Sequence, residues 1–501
     1  MNCHFTHLPA LLLVAFAGVA GAAQPLPRST PEAQGVASPA MVDFVQALDR
    51  IDALHGVVVV RHGQVITEGW WIPYAAARQH MLYSLSKSFT SSAVGLAMAE
   101  GKLSLNDPVL KFFPQAAPAH PSANLAAMRV HDLLTMSTGH ADEPPTAPDL
   151  VSPESFFAQP VTYPPGTRFK YNTAATFMLS AIVQHVTGQT VLDYLRPRLF
   201  EPLGIEQPRW DTNFQGISLG GYGLRVQTED IAKFGQLYLQ HGQWAGRQLL
   251  PSNWVAMATS RQIDNGSNPD SDWNQGYGFQ FWRCRHGAFR GDGAFGQYCV
   301  VMPEQDTVVA INSGVKDMQS VLNVIWDKLL PALQAQPLPP NPEATRQLTD
   351  QCAHLEVTPA RGAATSPLAG RLLNRTFRFP TNDQKLESLT LSAPATGQNL
   401  TLRLHLNGQV ITLPCGYHAW QPGRAPLLTG KQMGQYPDEP TAGTFAWPDE
   451  STCAIKLCAC ETPFQMTFTL NFQGDELTLA AAANVSFTTT QWPALVGQAA
   501  Q

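Results

Sequence analysis

The chain has 501 residues and a mass of 54.5 kDa, which suggests two or three domains because single cores rarely grow beyond about 300 residues. Hydrophobic residues make up 44% of the chain, and this share excludes a disordered protein. The net charge of -6 and the isoelectric point near 6.1 provide no basic field for phosphates, so we expect no nucleic-acid partner.

The first 23 residues have the pattern of a signal peptide. An apolar run from Leu8 to Ala20 is too short to span a bilayer, and the small residues at 21–23 follow it as a cleavage site. No Lys or Arg precedes the run, and a buried N-terminal helix is the alternative. We expect removal of residues 1–23, a periplasmic or secreted protein, and no integral membrane segment thereafter.

Between residues 30 and 335, predicted strands flank a helix-rich middle. The valine-rich segment 55–71 turns at His62-Gly63 and predicts a hairpin, and the apolar face of 84–100 predicts a helix that Gly101 ends. Further helices are predicted near 173–187, 228–240, 251–259 and 318–333. Short aromatic or β-branched strands are predicted at 277–282, 297–302 and 307–312.

A proline-rich stretch divides the chain. Residues 336–342 read QPLPPNP, so we place a linker at 336–345. Beyond it, largely alternating apolar and polar residues predict strands at 401–406, 409–413, 465–472 and 476–480. We therefore expect a mainly β domain, a barrel or a sandwich, over 346–501. No nucleophile–base pair stands out there, so we expect this domain to be non-catalytic.

Seven cysteines remain if Cys3 leaves with the signal peptide, and an odd number cannot all pair within one chain. An oxidising compartment would still favour some disulfides. The spacing Cys453-x4-Cys458-x-Cys460 is also compatible with a metal site. No histidine lies near it, however, and it matches no standard zinc pattern. Disulfides and free structural thiols are the favoured alternatives, and we expect no metal and no cofactor.

The segment Ser84-Leu-Ser-Lys87 is an S-x-x-K motif, which can carry nucleophilic chemistry. On a helix these two side chains share a face, and a lysine amine that burial keeps partly neutral can take the serine proton. A helix cap with a solvated lysine is the structural alternative, and Ser313-Gly-Val-Lys316 is a second copy of the motif. The small residues after Ser84, which suit a closely packed helix, favour the first copy.

The stretch 83–114 resembles the serine β-lactamase-related hydrolases of the class C type, a family of β-lactamases, DD-peptidases and esterases. Further similar stretches follow in the family's order at 132–139, 165–171, 186–189, 202–204, 220–224 and 228–234. The resemblance covers about residues 30–335. It implies an α+β fold of the β-lactamase/DD-peptidase type: an antiparallel sheet flanked by helices, with a helical subdomain inserted between early and late strands.

The resemblance also implies site residues. Ser84 is the implied nucleophile, Lys87 its partner, and Tyr171 matches the tyrosine of the family's Tyr-x-Asn motif, which implies a role in moving the serine proton. Thr173 occupies the asparagine position of that motif, with Asn172 between. Either Asn172 replaces the missing substrate contact, or that contact is absent.

A third family motif, Lys-Thr-Gly or His-Ser-Gly, corresponds to Gly291-Asp292-Gly293, so aspartate replaces a cation that helps to bind anionic substrates. The backbone at Gly293, Ala294 or Phe295 can still supply an oxyanion donor. Arg290 or Arg225 could restore a positive field, and Asp292 could instead be a solvated turn residue. The glycines at 291, 293 and 296 also match a dinucleotide fingerprint, which we reject because a strand, not a helix, is predicted to follow.

Three functions are compatible with these residues. The favoured one is an exported serine hydrolase that cleaves a small-molecule ester, amide or peptide bond through an acyl-enzyme. An esterase or amidase is preferred because of Asp292 and Thr173. A β-lactamase or DD-peptidase is the second, and a non-catalytic binding protein that retains the fold is the third.

Overall fold

The computed structural model describes residues 25–393, 399–429, 433–434 and 436–500. The predicted signal peptide and Cys3 therefore lie outside the described residues. Within the described part of the chain, no helix combines the length and the apolarity that a membrane crossing needs.

An antiparallel sheet forms the centre of the first domain. Its strands and those of two smaller sheets are β1 (Leu54–Arg61), β2 (Gln64–Trp70), β3 (His80–Met81), β4 (Arg209–Trp210), β5 (Leu224–Val226), β6 (Gln243–Trp244), β7 (Arg247–Gln248), β8 (Trp282–Arg283), β9 (Phe289–Gly293), β10 (Gln297–Met302) and β11 (Thr307–Ser313). The main sheet has the order β2-β1-β11-β10-β9-β8, and each strand is antiparallel to its neighbours. The predicted hairpin and the late strands thus share one sheet, which confirms the predicted fold class.

Helices cover both faces of this sheet. They are α1 (Ser38–Asp49), α2 (Ser86–Ala99), α3 (Ala123–Ala127), α4 (Val130–Leu134), α5 (Pro153–Ala158), α6 (Thr173–Thr187), α7 (Val191–Leu195), α8 (Glu201–Leu203), α9 (Thr228–Leu239), α10 (Ser252–Thr259) and α11 (Met318–Val324). In β1, Val58 and Val60 join the core shared with α2, α6 and α9, whereas Val57 and Val59 join the core beneath α1 and α11. Burial on both faces explains why β1 is a continuous valine run. Helices α2 to α10 are inserted between β2 and β8.

Two predicted elements differ from the structure. The segment 277–281 is mostly irregular rather than a strand, because Gln280 has a φ of +65° and its amide donates to the carbonyls of Leu133 and Leu134 in the helical lobe. The predicted helix 318–333 ends its α-helical part at Val324 and continues as a π-helical turn over Ile325–Leu329.

The predicted linker is shorter in the structure. Asn341 caps a helix, α12 (Pro342–Ala353), by accepting from Ala344 N–H at 3.2 Å, and Pro342 occupies its first position. Leu348 of this helix lies in the core beneath α1, so residues 342–353 pack with the first domain rather than with the β domain. The buried Leu348 side chain and the Asn341-Pro342 cap together stabilise this helix.

The C-terminal β domain is a barrel that follows α13 (Ala369–Leu372). Its strands are β12 (Thr376–Arg378), β13 (Leu386–Ser392), β14 (Leu400–Leu406), β15 (Gln409–Tyr417), β16 (Gln421–Ala425), β17 (Glu439–Ala446), β18 (Thr452–Ala459), β19 (Gln465–Gln473), β20 (Glu476–Ala483) and β21 (Leu495–Ala499). A pairing between β15 and β17 at Gly416 and Tyr417 closes the ring. Alternating side chains of these strands fill a separate core, as the sequence pattern predicts.

The cysteines are free thiols in the described residues, from Cys284 to Cys460. Cys453 and Cys458 lie five residues apart on β18, so their side chains point to opposite faces of the strand. Accordingly, Cys453 belongs to the barrel core and Cys458 to the core shared with the first domain. Strand geometry therefore prevents these two thiols from pairing.

A buried ion pair joins the two domains. Arg225 of β5 donates to both carboxylate oxygens of Glu439 of β17, at 2.7 and 2.9 Å. The two side chains are 4% and 8% exposed, so neither charge has much access to water. Strand β5 pairs with β3, two residues before Tyr83, and the ion pair therefore anchors the barrel beside the S-x-x-K segment.

We expect Glu439→Ala to destabilise the protein strongly, by about 3–5 kcal/mol, because the buried Arg225 loses both of its hydrogen bonds to a carboxylate and keeps only Glu461, whose Oε2 lies 3.7 Å from Nη1. Urea unfolding followed by circular dichroism measures this loss. The matched control is Asp438→Ala, which removes the neighbouring exposed pair with Arg424, whose side chains are 56% and 64% exposed. That change should cost under about 1 kcal/mol. Equal losses in the two variants would contradict a structural role for the buried pair.

Candidate active site

Ser84 lies in a tight turn at the start of α2. Residues Tyr83–Leu85 form a 3-10 turn that leads directly into the helix, and Tyr83 has a left-handed φ of +46°. A non-glycine residue in this region is strained and is kept there only by its surroundings. Here the Tyr83 ring is 1% exposed, whereas Ser84 itself is half-buried and accessible from the cleft.

Lys87 is buried, with 1% of its surface exposed, one helical turn beyond Ser84. Its Nζ lies 3.1 Å from Ser84 Oγ, 2.7 Å from the Gly221 carbonyl oxygen and 3.5 Å from Thr173 Oγ1. Burial disfavours the ammonium form and lowers the pKa of Lys87 to about 7, although the charges of Glu143 and Asp292 oppose this shift. The amine is therefore neutral in a large fraction of molecules near pH 7.

Tyr171 completes a group of three side chains. The Lys87 Nζ lies 4.9 Å from the centre of its ring, and Ser84 is near enough to lower the pKa of the phenol through hydrogen bonding. Its ring stacks on Trp282 at a centroid distance of 5.5 Å. Burial, followed by the charge of Asp292, raises the pKa of Tyr171 well above its usual value of 10. The phenol therefore stays protonated, and Lys87 is the better base.

Two glycines let the backbone approach this group closely. A Cβ at Gly221 would lie 2.7 Å from Thr173 Cγ2 and 3.4 Å from Lys87 Nζ, so a larger residue would displace the carbonyl that holds the amine. A Cβ at Gly293 would overlap the Leu82 carbonyl oxygen and lie 3.1 Å from the Ser84 nitrogen. The end of β9 therefore lies directly against the turn that carries Ser84.

The structure separates the roles proposed for Asn172 and Thr173. Asn172 is fully buried and caps α6: its Oδ1 accepts from Ala175 N–H at 2.9 Å, and its Nδ2 donates to Thr138 at 3.3 Å. Of the two alternatives for this motif, the arrangement favours an absent substrate contact, because the Asn172 amide is bonded within the protein. Thr173 instead faces Lys87, and its N–H donates to Glu143.

Asp292 is neither a free negative charge nor a solvated turn residue. It is 6% exposed, and the fully buried Arg290 donates to its Oδ2 at 3.0 Å through Nε. Arg290 also donates to the Asp272 carbonyl at 2.7 Å and lies 4.4 Å from the centre of the Trp273 ring, so it is held away from solvent. Burial raises the pKa of Asp292, and Arg290 opposes that shift. Arg225 is paired with Glu439 instead.

The end of β9 offers a backbone donor. No hydrogen-bond acceptor is found for Ala294 N–H among the described residues. Phe295 has a φ of +67°, and its carbonyl accepts from Val315 N–H at 3.0 Å. The Ala294 N–H is thus available to an oxyanion near Ser84.

The barrel contributes an aromatic wall that sequence reasoning missed. Phe487, which follows β20, lies 5.3 Å from Tyr83 and 4.8 Å from Phe295 between ring centres and is 39% exposed. Phe464 of the barrel lies 6.3 Å from Tyr83. These contacts join residues that lie between about 190 and 400 positions apart, so no local signal in the sequence could have indicated them.

The second S-x-x-K copy is organised differently. The Ser313 hydroxyl is buried and donates to the Gly296 and Phe295 carbonyls at 2.8 and 2.9 Å. Lys316 is exposed. The described residues also contain no group of three or more His, Cys, Asp or Glu side chains that could hold a metal ion.

Comparison with known proteins identifies relatives of the first domain. The sequence is 24% identical over 276 residues to the 6-aminohexanoate-dimer hydrolase of Paenarthrobacter ureafaciens, covering 50% of this chain and 70% of that protein. It is 26% identical over 223 residues to penicillin-binding protein 4 of Amycolatopsis lactamdurans, covering 36% and 58%. A solved structure assigned as a 6-aminohexanoate-dimer hydrolase from Bacillus anthracis shares the fold, with 21% identity and a TM-score of 0.51 over 63% of this chain and 89% of that chain.

The sequence model of the Beta-lactamase family matches residues 42–322, which is more than half of the chain and includes Ser84, Lys87, Tyr171 and Asp292. This match agrees with the sheet order, the inserted helical lobe and the relatives above. The chain therefore belongs to the Beta-lactamase family, whose members are serine hydrolases.

Proposed function

We propose that this protein hydrolyses an ester or amide bond through an acyl-enzyme formed on Ser84. The observation that carries the proposal is the buried Lys87 amine, with a pKa lowered to about 7, at 3.1 Å from Ser84 Oγ. A serine hydroxyl is a weak nucleophile without an adjacent base, and a lysine can be that base only in its neutral form.

In the acylation step, Ser84 Oγ forms a bond with the substrate carbonyl carbon while its proton moves to the neutral Lys87 amine. The carbonyl electrons move to the oxygen, which the Ala294 N–H and the Ser84 N–H can stabilise. Collapse of this intermediate breaks the ester or amide bond. The protonated Tyr171, beside Ser84 and Lys87, supplies a proton to the leaving group and regains one from the Lys87 ammonium.

Water then attacks the acyl-enzyme from the open side of the cleft. Lys87, neutral again, takes a proton from that water as the water oxygen bonds to the acyl carbon. The bond between this carbon and Ser84 Oγ then breaks, the acyl group leaves as a carboxylic acid, and Oγ takes the proton from the Lys87 ammonium. The same base thus serves both halves of the cycle. Ser84 is returned with its proton.

The substrate we propose has no carboxylate beside the scissile bond. The cation that the family places at the third motif is replaced by Asp292, and the nearby Arg290 is fully buried and bound to that carboxylate. An anionic substrate therefore gains no accessible positive charge there. The amide substrate named for the relative from Paenarthrobacter ureafaciens supports amides as a substrate class.

Labelling with a fluorophosphonate probe tests the nucleophile. We expect the wild-type protein to be labelled, Ser84→Ala to lose labelling, and Ser313→Ala to be labelled like the wild type because that hydroxyl is buried in a turn. Labelling that survives in Ser84→Ala would show that another serine reacts. A wild-type protein that remains unlabelled would favour a non-catalytic binding protein.

The rate of probe labelling should rise with pH through about 7, because only the neutral Lys87 amine can accept the serine proton. Below the midpoint the rate should fall by about tenfold per pH unit, and above it the rate should level off. Stopped labelling reactions between pH 5 and 9 give this profile.

The Glu143 carboxylate raises the pKa of Lys87, so Glu143→Gln should move the midpoint to lower pH. The neighbouring exposed carboxylate provides the control, and Asp142→Asn should leave the midpoint in place. A wild-type rate that still rises about tenfold per pH unit between pH 8 and 9 would contradict a base with a lowered pKa.

Neutral acyl esters should be hydrolysed at least about tenfold more efficiently, in kcat/KM, than a chromogenic cephalosporin, which carries a carboxylate next to its reactive amide. Asp292→Asn should raise the relative efficiency for the cephalosporin, because it releases the Arg290 charge from its partner. The expected change in this efficiency ratio corresponds to less than the several kcal/mol that an unpaired buried charge would contribute, because Arg290 already offsets the Asp292 charge in the wild type.

The control for this comparison is Asp270→Asn, which removes an exposed carboxylate of the same domain and should leave the ratio unchanged. Efficient cephalosporin hydrolysis by the wild type would instead favour a β-lactamase, and release of D-alanine from a peptide would favour a DD-peptidase.

A further inference from the structure

The barrel contains a cavity of about 630 Å³ that is separate from the Ser84 site. Its lining comes from facing walls of the ring and from the segments at one mouth: Leu386, Leu404, Leu406, Leu428, Met466, Phe468, Leu479, Ala481, Trp492 and Leu495. This volume is in the range of pockets that hold a whole small molecule.

The cavity follows from the width of the ring and from uneven filling of its interior. At the opposite end, Phe377, Trp447 and Phe472 pack together, with ring centres 5.5 to 6.1 Å apart, and fill the space between the walls. At the mouth, Leu386 begins β13 and Leu406 ends β14, and these smaller aliphatic side chains leave the interior open. Barrels of more than eight strands are wide enough to enclose a ligand.

The chemistry of the lining indicates the kind of ligand. Inside, the walls are aliphatic, thioether and aromatic, and the polar lining residues lie in the segment 381–384 at the rim. The charged member of that lining is the exposed Asp383, which disfavours a carboxylate at the mouth. An unbranched apolar chain with an uncharged polar head matches this distribution.

The mouth lies at the end of the barrel that packs against the nucleophile turn. Leu427 belongs to the apolar cluster around Tyr83, and the next residue, Leu428, lines the cavity. Likewise, Phe464 contacts Tyr83, and Met466 lines the cavity two residues later. On each of these two segments, therefore, only one or two positions separate a residue beside Tyr83 from a residue that lines the cavity.

We propose that this cavity binds the apolar chain of a single-chain neutral amphiphile. The chain enters the barrel between the walls, and the polar head stays at the rim near Asn382. The chain has two possible sources, the acyl part of the substrate itself or a separate lipid, and the chemistry of binding is the same for both.

Binding is measured with N-phenyl-1-naphthylamine, whose fluorescence rises in apolar sites, and with its displacement by monoacylglycerols of eight to twelve carbons. We expect saturable binding of the probe and displacement that strengthens by up to about fourfold per added methylene. The same result is expected with Ser84→Ala, so the outcome does not depend on the proposed catalytic role.

Adjacent residues on one strand provide matched variants. Ala481 lines the cavity, whereas Ala480 is exposed on the outer face of β20. Ala481→Trp should fill the cavity and weaken probe binding by at least tenfold, and Ala480→Trp should bind like the wild type. Leu495→Trp and Val496→Trp form a second pair, because Leu495 lines the cavity whereas Val496 is 46% exposed. This second pair serves as the test if Ala481→Trp fails to fold.

Absence of saturable binding, or binding that is unchanged in both folded inward variants, would overturn the proposal. Hydrolysis of esters of two to twelve carbons distinguishes the sources. If the inward variants lose activity only on long esters, the chain belongs to the substrate. If they lose probe binding with no change in the dependence on ester length, the cavity holds a separate lipid.

Discussion

Burial of the Lys87 amine is the constraint on which the rest of the site depends. An ammonium group is costly to bury, and the protein meets this cost by letting the group lose its proton near pH 7. Burial in turn requires a helix that other elements surround, which is why α2 carries small residues and is buried from Ser86 to Ala97. It also requires Gly221, whose carbonyl approaches the amine to 2.7 Å.

The turn before this lysine is held from outside the first domain. Tyr83 has a strained backbone, and its ring is enclosed by Phe295 and by the barrel residues Phe464 and Phe487. The buried pair between Arg225 and Glu439 anchors the neighbouring strand to the barrel. The β domain therefore supports the turn that carries Ser84, even though its own sequence contains no evident catalytic pair.

At the third motif, the charged residue Asp292 is buried, and its charge is paired within the protein. The resemblance to the family predicts a cation at the position of Asp292, and this chain has a carboxylate there instead. Arg290, two residues earlier on β9, lies on the same face of the strand and neutralises the new carboxylate. The Asp292 charge still reaches Tyr171 and raises the pKa of its phenol further, so this pair also helps to keep the tyrosine protonated.

The sequence by itself determined the features that depend on neighbours along the chain. The helix Thr173–Thr187, the strand Gln297–Met302 and the hairpin at Leu54–Trp70 follow from local periodicity and turn residues, and the S-x-x-K spacing places Ser84 and Lys87 on one helical face. Only the tertiary structure decided which way Asn172 points, that Arg290 neutralises Asp292, and that the barrel borders the nucleophile and encloses a cavity. Those outcomes depend on burial and on contacts between residues far apart in sequence, which no local pattern encodes.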